Sequence, residues 1–430
     1  MRILLTGASG FVGTRLAQLL LEQGHELVCA VRTPRESTHP RLSYIAADFT
    51  KDTDKSAWLA RLGRVETVIN TVGIFREQGA NTFQAVHVDT PRALFAACAE
   101  AEVRLVIQVS ALGADEQART AYHLSKKAAD DYLASLPVRS YIVQPSLVYG
   151  SGGASARFFK MVASMPFTFR FGPAAQLVQP VHLEDVVAGI AALVRMPLLL
   201  DEEGRGGLSR KVALVGPEQM PFTDYLGALR RGLGMGRLRV LPLPAWAARL
   251  AARLARFMPG SFFDEDALSM LDRDNVADPS LTACLLGHPP RAVAAFIREP
   301  AAERVRAKLD WLLPVLRVSI AAVWIATAVV SAGLYPIEKS YALLAATGIP
   351  PALHPLMLYG AAGLDLAFGI GILVLRRRRW LWLAQAGLIA FYTVVIALRL
   401  PEFLLHPYGP LTKNLPMLAA IWLLYECEEQ

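Results

Sequence analysis

"MRILLTGASGFVG", Met1 to Gly13, is the stretch whose reading decides the fold. A short apolar run leads straight into three glycines, Gly7, Gly10 and Gly13, with Phe11 and Val12 between the last two. Glycine at such a turn lets the backbone leave a strand tightly. It also lets a pyrophosphate approach the N-terminus of the next helix, where unpaired N–H groups and the dipole favour negative charge. A glycine triplet alone is a weak signal, so its context has to carry the argument.

Outward from that turn, short β-branched runs alternate with helical stretches. "RILLTG", "ELVCAV", "LSYIAAD", "TVINTVG", "LVIQVSA" and "RSYIVQPS" are six strand candidates, and helices fit between them at Thr14–Gln23, Thr90–Ala101 and Ala121–Ser135. This rhythm predicts an α/β fold: a Rossmann-type, doubly wound parallel sheet. From about residue 151 to 300 the pattern becomes irregular, with "KVALVGPEQM" and "FTDYLGALRRGLG" among its ordered-looking pieces, which implies a smaller second lobe contributing the substrate side. Leu241–Met258 places Arg249, Arg253 and Arg256 on one side of a helix, suited either to a membrane surface or to packing. No signal peptide is read before the first strand, so the nucleotide domain is expected to face the cytosol.

The composition requires something more than a soluble enzyme. Hydrophobic residues make up 53% of the 430 and charged residues only 19%, and the excess is concentrated at the C-terminal end. Val318–Tyr335 is 18 residues without a charge, Pro355–Leu375 is 21 with only Asp365 charged, and Trp380–Leu398 is 19 with none. Each is long enough to cross a bilayer, whereas a fourth candidate, Leu415–Tyr425, has only 11 apolar residues. The expectation is an all-α transmembrane four-helix bundle over 311–430, multi-pass in the cytoplasmic (inner) membrane. "RRRR" at Arg376–Arg379 and the tail "ECEEQ" then lie on the cytosolic side. That placement explains the basic run without nucleic acid, although the net charge is +7. Asp365 falls near the midplane, Arg317 near the cytosolic entry of its span, and His406, Lys413 and Asn414 at the far-side loop. The four cysteines, Cys29, Cys98, Cys284 and Cys427, form no Cys-x-x-Cys pair, and no disulfide framework or metal site is expected.

Four further observations concern a cofactor. Arg32 and Arg35 follow the second strand where an NAD-preferring protein would carry an acidic residue, which favours NADP(H), with NAD(H) as the alternative. Asp48 follows the third strand and is placed towards the adenine edge, and "NTVG", Asn70–Gly73, ends the fourth beside the cofactor. Tyr122 and Lys126 lie four apart in "TAYHLSKKAADDYL" on a predicted helix. Tyr335 and Lys339 repeat that spacing, but Pro336 between them and the apolar run before them argue against a catalytic helix there.

"TGASGFVG", "INTVGIF", "VSALGA", "YHLSK", "VQPSLVYG", "VQPVHLEDV" and "VGPEQMPFTDYL", occurring in this order, resemble the short-chain dehydrogenase/reductase superfamily over residues 1–300. The likeness is to its extended or atypical branch, in the group containing the nucleotide-binding accessory subunit of respiratory complex I. The C-terminal part, through its span layout and "PYGPLTKNLPML", resembles DoxX-like membrane domains. The first resemblance implies that Tyr122 is the general acid or base, that Lys126 lowers its pKa and holds the nicotinamide ribose, and that Ser110, 12 residues earlier, orients the substrate oxygen. The i, i+4 spacing suits this chemistry, because an ammonium near a phenol stabilises phenolate. Phe11, Val12, Gly73 and Pro145 complete the cofactor-binding set with the glycines. His87 in "FQAVHVDTP" stands where such proteins commonly carry asparagine, and His182 in "QPVHLEDV" reads as structural. The expected function is a membrane-anchored NAD(P)H-dependent oxidoreductase acting on a lipophilic carbonyl, alcohol or quinone-like substrate. The alternative is a non-catalytic nucleotide-binding assembly or structural subunit with membrane-complex partner proteins.

Overall fold

The computed structural model describes residues 1–37, 39–170, 176–196, 209–242, 273–407 and 409–428. The chain forms two compact units, Met1–Ala307 and Lys308–Gln430. The amphipathic stretch expected at Leu241–Met258 lies outside the described residues beyond Pro242.

All six expected strands form: β1 (Arg2–Thr6), β2 (Glu26–Val31), β3 (Leu42–Ala46), β4 (Thr67–Asn70), β5 (Leu105–Val109) and β6 (Ser140–Pro145). A seventh, β7 (Ser209–Leu214), adds beside β6. "KVAL" therefore extends the main sheet instead of joining the second lobe. Val212 and Leu214, its two fully buried residues, fill the sheet's apolar layer. The order is β7-β6-β5-β4-β1-β2-β3, with every pairing parallel. Chain order reverses between β1 and β4, and ligands of such sheets bind outside the carboxyl ends at that reversal.

Successive strand residues point to opposite faces, and the core divides accordingly. Ile3, Leu5, Leu27, Cys29 and Ile107 pack with Leu16 and Leu20 of α1 (Phe11–Glu22) and with Val186 and Ile190, on a helix described below. Leu4, Val28, Val68 and Val106 pack on the other face against α2 (Lys55–Leu62), α3 (Thr90–Glu100) and α4 (Ala121–Ser135), through Trp58, Leu94, Phe95 and Leu133. Strands buried on both faces read as continuous apolar runs, as these do. α6 (Leu183–Arg195) packs on the sheet beside α1, while the second lobe uses α5 (Ala154–Ser164) and α7 (Phe222–Gly232). Its own core is built on Tyr149, Phe222, Tyr225 and Phe296. His182 caps α6 by accepting the Glu184 N–H at 3.2 Å, and Arg291 bridges to Asp185 at 3.2 Å, so His182 is structural here. The Arg15 guanidinium clasps both Glu184 oxygens at 2.9 and 2.8 Å, tying α1 to α6.

The second unit is helical. Three helices, Pro300–Leu334, Pro351–Val374 and Arg379–Arg399, are long and apolar enough to cross a membrane. Asn414–Cys427 forms a shorter apolar helix of 14 residues. Tyr335 ends one helix and Lys339 lies in the next, after Pro336, so the decoy pair shares no helix. Glu428 accepts a hydrogen bond from Trp382 Nε1 at 2.9 Å and meets Arg378 at 3.3 Å and Arg317 at 3.5 Å. Arg317 lies midway along the first apolar helix, where its uncharged run begins, Arg378 and Trp382 lie at the start of the third, and Glu428 follows the last, so Glu428 ties three helices together. Asp365 is only 6% exposed on its helix, and Trp324 Nε1 donates to the buried Gln385 at 2.8 Å.

Candidate active site

The β1–α1 turn forms as the glycines require. Gly7 adopts φ +75°, and Gly10 is the first residue flanking α1, with no side chain capping it. The N–H groups of Phe11, Val12 and Gly13 therefore have no intrahelical acceptor and are available to an anion. A Cβ at Gly13 would lie 2.1 Å from the Gly7 carbonyl oxygen, and one at Gly7 would lie 2.6 Å from Thr71 Oγ1. Behind the turn, Thr6 Oγ1 donates to Asn70 Oδ1 at 2.6 Å, and Asn70 Nδ2 donates to Gln108 Oε1 at 2.7 Å. This fully buried chain locks the ends of β1, β4 and β5 together, so the Asn70 amide is an internal tie. The cradle fits a dinucleotide: small where phosphate must approach, and rich in unpaired donors.

Arg32 and Arg35 are exposed beyond β2. Arg35 donates to Tyr44 Oη at 3.1 Å with its guanidinium 5.1 Å from the centre of that ring, which holds it at the strand end. The Asp48 carboxylate accepts from the Thr50 N–H at 3.0 Å and its hydroxyl at 2.8 Å, and these bonds lower its pKa. Pro145 ends β6, buried, its carbonyl accepting the Leu112 N–H at 3.0 Å.

Tyr122 and Lys126 share one face of α4, which Thr120 caps by accepting the His123 N–H at 3.3 Å. The Lys126 ammonium is buried and donates to the carbonyls of Val109 at 3.2 Å and Val72 at 3.4 Å. A Cβ on Gly73 would stand 3.0 Å from Lys126 Nζ and 3.5 Å from His87 Nε2, so glycine there makes room for both. The Tyr122 ring is half-buried among aromatic rings, with Phe75 at 5.4 Å, His123 at 5.3 Å, His87 at 5.6 Å and Phe83 at 6.2 Å between centres. Phe75 is 40% exposed and forms an apolar rim. A cleft of about 540 Å³ opens beside the start of α4, lined by Leu112, Gly113, Thr120, His123, Arg273 and Asn275 among others. Arg273 is fixed there by two bonds to Asp115, at 2.8 and 2.6 Å.

Two further features bear on the expected roles. The Ser110 hydroxyl donates to Asp130 Oδ2, and Ser110 is only 5% exposed. The Tyr122 phenol is pushed up to about 12, by burial first and then by the charge of Asp130. Burial also lowers the pKa of Lys126, against the charge of Asp130.

His87 shows how the site is pinned. Its Nε2 accepts the Ile74 N–H at 2.9 Å, its Nδ1 lies 2.9 Å from Ser125 Oγ, and Ser125 donates to the Tyr122 carbonyl at 2.8 Å. Ser125 has one proton, so His87 must donate from Nδ1, which fixes a neutral tautomer with both nitrogens occupied. Burial and the nearby Lys126 push His87 down to about 2, in keeping with that state. The sequence reading missed Asp130, Ser125 and the Phe75–Phe83 rim. A signal for Asp130 was present, since Tyr122, Lys126 and Asp130 recur every four residues on one stripe of α4.

Comparison with known proteins agrees with this geometry. Residues 3–203 match the NAD dependent epimerase/dehydratase family and residues 321–422 the DoxX-like family. A ceramide reductase of Caulobacter vibrioides is 28% identical over 200 residues, covering 46% of this chain and 62% of that protein. Subunit 9 of the NADH dehydrogenase (ubiquinone) 1 alpha subcomplex of Rattus norvegicus, a mitochondrial protein, is 24% identical over 294 residues, covering 64% of this chain and 72% of its own. The match therefore spans less than two thirds of the ceramide reductase's length. Among solved structures, a UDP-glucuronic acid 4-epimerase of Bacillus cereus, in complex with NAD, superposes with a TM-score of 0.50 at 17% identity, covering 72% of this chain and 100% of that one. A nucleoside-diphosphate-sugar epimerase of Staphylococcus aureus superposes at 0.55 with 15% identity, covering 70% and 100%. These likenesses carry the fold, and together with the three apolar helices the DoxX-like match points to a membrane protein. The chain joins an epimerase and short-chain-dehydrogenase-like, NAD-binding type of domain to a C-terminal DoxX-like domain.

Proposed function

We propose that this protein is a membrane-anchored, NADPH-preferring oxidoreductase that reduces the carbonyl of a lipophilic substrate, with its nucleotide domain on the cytosolic side of the inner membrane. The observation that carries this reading is that Tyr122 stands on the face of α4 that carries the buried Lys126 one turn on, with its ring edged by Phe75 and Phe83. A nicotinamide dinucleotide bound there supplies hydride. Tyr122 Oη donates its proton to the oxygen that becomes the alcohol, Lys126 holds the ribose side, and Phe75 and Phe83 exclude water from the reacting face. The cleft at Thr120, His123 and Arg273 receives the polar end of the substrate. A ceramide reductase among the relatives supports a long-chain lipid substrate.

NADPH preference rests on Arg32 and Arg35. Replacing both by alanine is expected to raise the NADPH dissociation constant about tenfold or more while leaving NADH binding nearly unchanged. Equal losses for the two nucleotides would remove the 2′-phosphate argument. The reading as a whole is tested with the full chain in mild detergent, following NADPH oxidation against long-chain ketones, keto-lipids and a short-chain quinone. Oxidation with a lipophilic carbonyl supports it. Tight NADPH binding without oxidation by any member of the panel favours a second reading, a nucleotide-bound structural or assembly subunit. That second reading is favoured by the internally committed Ser110 and His87 and by the complex I subunit among the relatives.

A further inference from the structure

The buried polar cluster behind Lys126 has no part in the motif roles. Asp130 lies one helical turn beyond Lys126 on α4 and is fully buried. Its Oδ2 accepts the Ser110 hydroxyl, and its Oδ1 has no hydrogen-bond partner among the described residues. A buried carboxylate with an unpaired oxygen is costly unless an opposite charge nearby offsets its burial. One helical turn before Asp130 on the same face stands the buried Lys126, whose three donors find, among the described residues, two carbonyl oxygens, those of Val72 and Val109. Neutral carbonyls solvate an ammonium but do not balance it.

We propose that Asp130 is the positioning residue of this site: its carboxylate keeps Lys126 in the ammonium form that holds the nucleotide ribose, and it anchors Ser110 as its own hydrogen-bond donor. The inference rests on the oxidoreductase reading for the role of Lys126. The groups facing the pair are few. Asp130 faces Ser110 just after β5, Lys211 from β7, and Tyr122, Lys126 and Asp131 from α4, while Lys126 also faces His87, which is neutral. Burial pushes Asp130 up and Lys126 down, and each one's charge acts against the shift of the other. With Asp130 neutral, its charge no longer opposes the burial of Lys126, so the ammonium is lost at a lower pH.

The test is the NADPH dissociation constant of the full chain in detergent, read by nicotinamide fluorescence from about pH 6 to pH 10. Affinity of the unaltered protein should fall on the alkaline side as Lys126 loses its proton, and Lys126→Met should weaken binding and abolish that limb. Asp130→Asn should move the limb to lower pH by about one unit, roughly a tenfold loss at a fixed alkaline pH. Asp130→Glu should move it back. Ser110→Ala is the milder companion should Asp130→Asn fold poorly. It removes a bond that favours the carboxylate and should shift the limb the same way by less. An unmoved limb in both Asp130→Asn and Ser110→Ala, or a uniform loss at every pH, would overturn the proposal. A Ser110→Ala rate that collapses at all pH values would do the same, by placing Ser110 on the substrate. If Lys126→Met binds NADPH like the unaltered protein, the oxidoreductase reading fails at its cofactor seat. That failure is distinct from an Asp130 effect alone, and it overturns the proposal as well.

Discussion

Tyr122→Phe is expected to lower the rate of NADPH-dependent carbonyl reduction by about 10²- to 10⁴-fold while NADPH affinity stays within about threefold. The split follows from where the ring and the hydroxyl stand. Phenylalanine keeps the edge and tilted contacts to Phe75, Phe83, His87 and His123, so the aromatic wall and the start of α4 persist. Nothing in the β1–α1 cradle touches the lost oxygen. What disappears is a proton donor pushed up to about 12, one that remains protonated through the neutral range. Such a group suits the reducing direction, in which negative charge grows on the substrate oxygen. The reverse oxidation needs the phenolate, so it should accelerate as pH rises towards the tyrosine's pKa, whereas reduction should stay nearly flat between about pH 6 and pH 8. A mutant that reduces the substrate at an undiminished rate would remove Tyr122 from the chemistry and leave the cradle argument intact.

That asymmetry marks how far the site can be read without coordinates. The sheet is legible because each strand is buried on both faces and so spells an apolar run, and because glycines stand where β1 must turn into α1. Tyr122 and Lys126 are legible because four residues are about one helical turn. The direction of a hydroxyl is not. Ser110 lies at the end of β5, as expected, but whether its proton meets a substrate or Asp130 depends on a carboxylate 20 residues later on another element. The phenol's pKa is illegible for a related reason, since spacing indicates that an ammonium is near but not whether burial has weakened that charge. "KVAL" was assigned to the wrong layer because a short apolar strand fits a lobe or a sheet edge equally well, and only the burial of Val212 and Leu214 against β6 decides between them. In the membrane unit the three long spans follow from length alone, while the shorter fourth candidate, Leu415–Tyr425, forms the Asn414–Cys427 helix, and the contacts of Glu428 tie its end to Trp382, Arg378 and Arg317.

The second large effect belongs to the turn itself. Gly13→Ala is expected to abolish measurable NADPH binding, a loss of about 100-fold or more, and to lower stability by about 1–3 kcal/mol. Gly10→Ala should leave affinity within about tenfold. Both positions are glycines of one motif, so motif counting treats them alike, but the local packing does not. A Cβ on Gly13 would stand 2.1 Å from the Gly7 carbonyl oxygen and 2.7 Å from its carbon, atoms of a backbone held by β1 on one side and by Thr71 on the other. These atoms have no rotamer to change, so α1 must shift away from the turn and take the N–H groups of Phe11, Val12 and Gly13 with it. At Gly10 the added carbon meets only the Gly7 oxygen, at 3.1 Å, which a small displacement relieves. Gly7→Ala should resemble Gly13→Ala, because φ +75° and a 2.6 Å approach to Thr71 Oγ1 both exclude a side chain. Fluorescence titration together with thermal melts separates the two losses, since the sheet core of Leu4, Leu5 and Ile69 does not depend on the nucleotide. A folded Gly13→Ala protein that binds NADPH normally would mean that the dinucleotide does not sit on the α1 terminus. The Tyr122 and Lys126 roles would then lose the cofactor they are arranged around.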